Sequence, residues 1–303
     1  MRYYNDIKEL IGNTPLIKLN NFNTPKEVNV FSKLEYYNPA GSIKDRIGLY
    51  MIEAGERTGV LKRGMTIIEA TAGNTGLGLA IGALNKGYKT IFVVPDKFSD
   101  EKIALMKALA GEVIITPKEK GMKGAIEYAN TLLQSIENST SLRQFENAHN
   151  PEAHYYGTGR EIYEDLDGVI DYFVAGAGSG GTFTGVMKYL KEKNPKIKGV
   201  LVDPEGSTMG GGEEGHYNIE GIGNNFIPAV MDMSLVSEVI KVNDEEAFGA
   251  SRELSKKEGI IVGTSSGAAM AGVLKLIKKI DRGNIVTLFP DRGDRYFSKG
   301  LFE

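Results

Sequence analysis

The chain has 303 residues, 41% of them apolar and 25% charged, the balance of a globular protein with one large core or two intimate domains. Its net charge of −3 gives no electrostatic reason to bind nucleic acid or an anionic membrane, and no run approaches the roughly 18 apolar residues of a membrane-spanning helix. It contains no cysteine, which excludes disulfides, a thiolate nucleophile and cysteine-based zinc sites.

Apolar strands alternate with helical stretches, the pattern of a mainly parallel α/β sheet. In chain order, strands are predicted at Val28–Leu34, Thr66–Ile68, Thr90–Val94, Glu112–Ile115, Tyr172–Ala175, Gly199–Val202 and Ile285–Phe289. A helix is predicted over Asp45–Glu53, after a Pro39/Gly41 loop. Ser99 stands as the N-cap of a second, with Asp100 and Glu101 in its first turn and Gly111 as its stop. A third, amphipathic helix opens after Gly176–Thr182 and ends near Glu192. Asn243 caps a fourth, which runs to about Lys257 and stops at Gly259. No repeat, low-complexity tract or long linker interrupts the series. The first ten residues lack the basic end and apolar run of a secretory leader.

Three glycine- and hydroxyl-rich segments follow strands or precede helices: Thr71–Gly76, Gly176–Thr182 and Gly263–Gly267. Open α/β sheets bind ligands at the carboxyl ends of their strands, so three such loops suggest one ligand held from several sides. Glycines in Gly176–Thr182 allow backbone N–H groups to converge on an anion at a helix start, with Ser179 and Thr182 adding hydroxyls. The segment has no Gly-Lys-Ser/Thr ending, which argues against a nucleotide P-loop. A competing reading is a nicotinamide oxidoreductase, since Gly176, Gly178 and Gly181 spell G-x-G-x-x-G and Asp203 ends the next strand. A bland reading, a tight turn where helix packs on strand, is also open at this point.

The segment Asn38-Pro39-Ala40-Gly41-Ser42-Ile43-Lys44-Asp45-Arg46 places a lysine just before a helix. A charged lysine is disfavoured there by the helix dipole, whereas a neutral or imine-linked amine is not. Taken in order, this segment, Thr71-Ala72-Gly73-Asn74-Thr75-Gly76, Gly178-Ser179-Gly180-Gly181-Thr182 and Gly263-Thr264-Ser265-Ser266-Gly267-Ala268 resemble the cysteine synthase/cystathionine β-synthase family. The opening Ile11-Gly12-Asn13-Thr14-Pro15-Leu16 fits the family's start, and the resemblance runs from about Ile11 to Tyr296. It implies an α/β fold-type II pyridoxal-phosphate (PLP) enzyme, like the tryptophan synthase β-subunit, built of two three-layer αβα domains. A smaller domain over residues 41–150 and a larger PLP-binding domain from 1–40 plus 151–303 are expected. The resemblance also implies a homodimer in the cytoplasm acting on a small amino acid, with no nucleic acid, membrane or metal involved.

The same resemblance assigns roles. Lys44 would form the internal aldimine and shuttle the Cα proton. Gly178, Ser179, Gly180, Gly181 and Thr182 would hold the cofactor phosphate, and Asn74 its ring hydroxyl. Thr71, Ala72, Gly73, Thr75 and Gln144 would bind the substrate carboxylate, with Gly221 of the Glu220–Gly223 loop bordering the site. Ser265 would face the pyridine nitrogen. A neutral hydroxyl there, in place of a carboxylate, weakens the electron sink and favours loss of a β-leaving group through an aminoacrylate.

Ala72, the Asp203–Ser207 run and the Val94–Lys102 run lean toward the cystathionine β-synthase branch, in its short form. The expected reaction is β-replacement or β-elimination on L-cysteine or an O-activated L-serine, releasing hydrogen sulfide where cysteine is consumed. The alternatives are cysteine synthesis from O-acetylserine and sulfide, or cystathionine formation. Water as the incoming nucleophile would need a base, for which Asp232 is the candidate; the competing role for Asp232 is to cap the following segment. A catalytically silent module gripping a partner's carboxylate is a further alternative, against which Lys44, Asn74, Gln144 and Ser265 all stand intact.

Overall fold

A computed structural model describes residues 1, 3–71, 73–96, 100–109 and 111–303. Strands β1 (Leu16–Lys18) and β2 (Glu27–Leu34) lead to helix α1 (Lys44–Thr58). Then come β3 (Thr66–Ala70), α2 (Asn74–Ala83), β4 (Lys89–Pro95), α3 (Asp100–Leu109), β5 (Glu112–Thr116), α4 (Gly121–Ser135) and β6 (Ser139–Thr140). After α5 (His149–Ala153) and α6 (Arg160–Asp165), the chain forms β7 (Tyr172–Gly176), α7 (Gly181–Lys193) and β8 (Lys198–Pro204). It closes with β9 (Val236–Val242), α8 (Asp244–Glu258), α9 (Thr264–Leu276) and β10 (Arg282–Phe289).

Among the described residues two sheets form. One has the order β1-β2-β10-β7-β8-β9 and is parallel except at the β1–β2 edge. The other, β5-β4-β3-β6, is parallel throughout. Alternating side chains of each strand feed opposite cores, as the two-residue strand period requires. Ile67, Phe92 and Val94 pack with α1 and α2, whereas Ile68, Ile91 and Val93 pack with Ala125 and Ala129 of α4. Val174, Val200, Val202 and Ile285 face α8 and α9, whereas Phe173, Leu201 and Val286 face α7. Both sheets are therefore covered by helices on both faces, the α/β layering expected from the sequence.

The seven predicted strands all form, with ends displaced by at most two residues except at β10, which starts three residues earlier, at Arg282. Strands β1, β6 and β9 were not predicted. Asn243 caps α8 with a full capping box to Glu246, and Gly259 ends it in the left-handed conformation. Helix α3 begins at Asp100, while its expected cap, Ser99, lies outside the described residues.

Two features set the positions of the site residues. Helices α1 and α2 cross at backbone contact: a Cβ on Gly48 would overlap the Gly78 backbone, and one on Gly82 would lie 2.9 Å from the Gly48 carbonyl oxygen. That crossing fixes the first residues of both helices, Lys44 and Asn74, relative to each other. Behind them, Arg46 spans two buried acids, donating to Glu35 at 2.7 and 2.8 Å and to Glu161 at 2.6 and 2.7 Å. Burial opposes the charge on Glu161, but Arg46 and then Lys33 outweigh it and draw its carboxyl down to about 2.

Candidate active site

The glycine- and hydroxyl-rich loops lie at the carboxyl ends of strands, Thr71–Gly73 after β3 and 177–180 after β7, and a third segment, 290–296, follows β10. Contacts link them into a ring. Ile43 N–H donates to the Pro290 carbonyl at 2.8 Å, bringing Lys44 beside Asp291. Asp291 Oδ2 accepts from Asn74 Nδ2 at 2.7 Å and from the Tyr296 hydroxyl at 2.8 Å. The Asp291 carbonyl accepts the Gly263 N–H at 3.2 Å, one residue before α9. On the first turn of α9, Ser265 Oγ stands 3.8 Å from where a Cβ of Gly221 would be. Gly223 N–H then donates to the Ala177 carbonyl at 2.8 Å, and Asn224 Nδ2 to the Gly178 carbonyl at 2.5 Å. Asn150 Nδ2 closes the circuit, donating to Ser179 Oγ at 2.9 Å and to the Gln144 carbonyl at 2.7 Å.

Lys44 is the first residue of α1 and its side chain is partly buried. Among the described residues its amine has no hydrogen bond or ion pair. Burial lowers its pKa from 10.5 to about 8, against the charge of Asp291, which acts to raise it. About a tenth of the amine is thus neutral and nucleophilic at pH 7, far more than for an ordinary lysine.

The 178–181 turn is a cradle whose glycines, Gly178, Gly180 and Gly181, have no room for a side chain. Gly180 has φ +85°, and a Cβ there would lie 2.5 Å from Met231 Cβ; a Cβ on Gly181 would overlap the Asn150 amide. No side chain caps α7, so the N–H groups of its first turn face the cradle with the positive end of the helix dipole. Thr182 Oγ1 lies 3.1 Å from His154 Nε2, whose other ring nitrogen is 2.9 Å from Thr158 Oγ1. Burial, then the charges of Lys44 and Arg46, hold His154 well below its usual pKa, so it is a neutral hydrogen-bonding partner.

The amide of Asn74 is oriented from both ends. Arg295 Nη1 donates to its Oδ1 at 2.5 Å, and its Nδ2 gives one hydrogen to Asp291. The second Nδ2 hydrogen remains a donor toward an oxygen anion. Asp291 Oδ1 and Ser266 Oγ are buried polar atoms without a partner, and among the described residues the Ser265 hydroxyl also has none. An anion cradle, a free amine, an oriented donor and orphan polar atoms in one ring fit a phosphorylated aldehyde cofactor with a hydroxylated ring.

The expected carboxylate loop is arranged differently from a set of free hydroxyls. Thr71 Oγ1 accepts the N–H groups of Gly73 at 3.3 Å and Gly76 at 3.0 Å, so it builds the start of α2. Thr75 Oγ1 donates to Gln144 Oε1 at 2.8 Å, joining two expected substrate residues. Ala72 lies outside the described residues. Glu69, which the sequence reading passed over, seats Gln144 from below: its Oε2 accepts from Ser141 Oγ, Leu142 N–H and Arg143 N–H at 2.7, 3.0 and 3.3 Å. Asn150, His154, Asp291 and Tyr296 were likewise not assigned contacts, although Phe289–Tyr296, at the end of the last strand, was expected near the cofactor.

Asp232 follows Met231, which packs on Gly180, and its Oδ1 accepts from Ser234 N–H at 3.1 Å and Ser234 Oγ at 2.5 Å. The capping role weighed for it is present. Asp203, the acid on which the nicotinamide reading depends, is 1% exposed, with its Oδ2 held by Lys241 at 2.6 Å and the Gly210 N–H at 2.9 Å, so burial shuts it off from a ribose.

Fold and ring together define a class: an α/β enzyme with a lysine amine set opposite a helix-borne anion cradle. The chain belongs to the pyridoxal-phosphate dependent enzyme family, whose model matches residues 7–291. It is 52% identical to the "O-acetylserine dependent cystathionine beta-synthase" of Bacillus subtilis, over 100% of this chain and 99% of that protein. Among solved structures it is similar to the O-acetylserine dependent cystathionine β-synthase of Helicobacter pylori, with a TM-score of 0.96, 44% identity and full coverage of both chains. It is also similar to a hydrogen sulfide-producing enzyme of Fusobacterium nucleatum, with a TM-score of 0.93 and 43% identity over 97% of this chain and 100% of that one. The cofactor is therefore pyridoxal phosphate, and the nicotinamide reading is set aside.

Proposed function

We propose that the protein replaces the β-substituent of L-cysteine or an O-activated L-serine with a thiol or water, releasing hydrogen sulfide where cysteine is the substrate. The observation that carries this reading is the pairing of Lys44, a partly buried amine without a partner among the described residues, with a neutral serine on the first turn of α9. Bound pyridoxal phosphate supplies the electron sink that makes the substrate Cα–H acidic. Lys44 Nζ holds the cofactor and then takes and returns the Cα proton. The Gly178–Thr182 turn would anchor the phosphate, Asn74 Nδ2 would donate to the ring oxygen, and Ser265 Oγ would face the ring nitrogen without giving it a full charge. The Gly73–Thr75 backbone with Gln144 receives the substrate carboxylate, while Thr71 shapes that loop. Gly221 leaves room beside Ser265.

The names of the relatives support one substrate and one product of this reading: O-acetylserine in two of them, and hydrogen sulfide in the third. Cysteine synthesis from O-acetylserine and sulfide is the second reading, since it uses the same groups with the thiol side reversed. Where water is the nucleophile in the first reading, Asp232 activates it through Oδ2, for which no hydrogen bond exists among the described residues, while Oδ1 remains the cap. A smaller domain over 41–150 closing on a larger one, a homodimer and a cytoplasmic location complete the proposal. No helix of the described residues is long and apolar enough to cross a membrane.

The test is an absorbance spectrum of the purified protein with L-cysteine or O-acetyl-L-serine, with sulfide followed in parallel. A visible cofactor band that shifts with cysteine as sulfide appears supports cysteine consumption. A shift with O-acetylserine alone moves the assignment to cysteine or thioether synthesis. Absence of the band after adding pyridoxal phosphate would overturn the reading.

A further inference from the structure

Lys102, on the first turn of α3, is only 2% exposed. An ammonium so deeply buried requires matched partners, and it has two. Its Nζ donates to Glu220 Oε2 at 2.6 Å and to the Tyr296 hydroxyl at 3.0 Å, and it lies 4.1 Å from the centre of the Tyr296 ring. Its stem runs along the carboxylate loop, since a Cβ on Gly73 would lie 3.0 Å from Lys102 Cδ. The neighbouring Glu101 adds a second tie, accepting from Ser298 N–H at 3.0 Å and Ser298 Oγ at 2.8 Å.

Both partners of Lys102 continue into the ring. The Glu220 N–H donates to Thr264 Oγ1 at 2.9 Å, which seats the loop carrying Gly221 beside Ser265. Tyr296 donates to Asp291, which also holds Asn74. One side chain thus touches the carboxylate loop with its stem and ties two other walls of the site with its head. The Lys102 and Glu220 side chains are 3% and 16% exposed, so water and salt screen the pair little.

We propose that Lys102 is a positioning residue: its ion pair with Glu220 locks the Glu220–Gly223 loop to α3 and holds the Gly73 turn in shape for the substrate carboxylate. The proposal rests on the carboxylate reading of the Gly73–Thr75 loop. It contains no separate chemistry for Lys102, which acts through Glu220, Tyr296 and the loop backbone.

The experiment compares the holoenzyme with Lys102→Met, Lys102→Arg and Glu220→Gln. The readouts are the visible cofactor band, KM and kcat for L-cysteine and O-acetyl-L-serine, and amide hydrogen exchange over 71–76 and 219–223. Cofactor content should be unchanged in all. Lys102→Met and Glu220→Gln should raise the amino-acid KM by about tenfold or more, with kcat within about threefold, and speed exchange over 219–223. Lys102→Arg, which keeps the charge, should recover KM to within about threefold of the parent. Parent KM and parent exchange in both Lys102→Met and Glu220→Gln would overturn the proposal, as would an arginine variant as impaired as the methionine one. If Lys102→Met does not fold, Glu220→Gln decides alone, because its side chain reaches solvent. A parent protein with no cofactor band would instead sink the proposed function, and the exchange data would still judge the lock.

Discussion

Asn74 and Asp291 are 217 residues apart in sequence and joined by a 2.7 Å hydrogen bond at the centre of the site. The bond ties the start of α2 to the end of β10, and its acid faces the Lys44 amine. Burial lowers that amine to about 8, and the Asp291 charge acts to raise it. Asp291→Asn keeps an oxygen to accept from Asn74 and Tyr296 but removes the charge. The influence that raises the lysine is then lost, so its titration must move below about 8. The neutral amine is the form that captures the cofactor. Uptake of pyridoxal phosphate by the cofactor-free parent should rise with pH through about 8, and in Asp291→Asn the rise should come earlier. A fall of one unit would speed uptake at pH 7 about fivefold. Stopped-flow absorbance against pH measures it, and a midpoint that stays or moves upward contradicts the argument.

The cradle makes a second prediction. Gly180 sits at φ +85°, where a side chain costs about 1–2 kcal/mol before any contact is counted. An alanine Cβ would also press on Met231 at 2.5 Å. The backbone must shift to relieve this, and the N–H groups at the start of α7 shift with it. Gly180→Ala should weaken pyridoxal phosphate binding by roughly tenfold or more, a loss of about 1.4 kcal/mol. A spectrophotometric titration reads this directly. The strain and the clash act on the cofactor-free fold as well, so the cofactor-free protein should melt earlier, and the loaded protein should lose that stability plus the lost binding energy. Equal cofactor affinity in variant and parent would show that the turn does not hold the phosphate.

Much of this was legible in the sequence, for reasons that differ by element. Strands β2, β4, β7 and β8 are apolar runs bounded by turn residues, which is why their ends fell within two residues of expectation, whereas β10 extends three residues earlier through the polar Arg282–Asn284. Strands β1 and β6, of three and two residues, are too short to carry a period. Strand β9 is different: Val236, Val239, Ile240 and Val242 were visible, but the charged Glu238 and Lys241 on a half-exposed edge masked the signal. Within the site, Lys44, Asn74 and the 178–182 turn belong to local motifs. Asp291, Tyr296 and Glu69 were given no contact from their local sequence, and the Val94–Lys102 run gave Lys102 no role in the site. Their roles arise only when segments 72 to 217 residues apart converge, and each reads in sequence as an ordinary charge or aromatic. Thr71 shows the converse, since its motif was plain while its hydroxyl proved to be engaged by its own loop.

Asp232 supplies the last prediction. Its Oδ1 caps the turn at Met233–Leu235, and asparagine caps as well as aspartate does. Asp232→Asn therefore keeps the turn and removes only the basic oxygen. Water needs that base to attack the β-carbon, whereas a thiol ionises far more readily and does not. With cysteine alone, serine formation should fall by about a hundredfold. With cysteine plus a thiol acceptor, sulfide release and thioether formation should hold near the parent rate. The two products can be separated by chromatography from the same reaction mixture. Equal serine formation by variant and parent would leave Asp232 as a cap and nothing more. A parallel fall in both products would instead place its effect on the Met231 contact with Gly180, and so on the cofactor cradle.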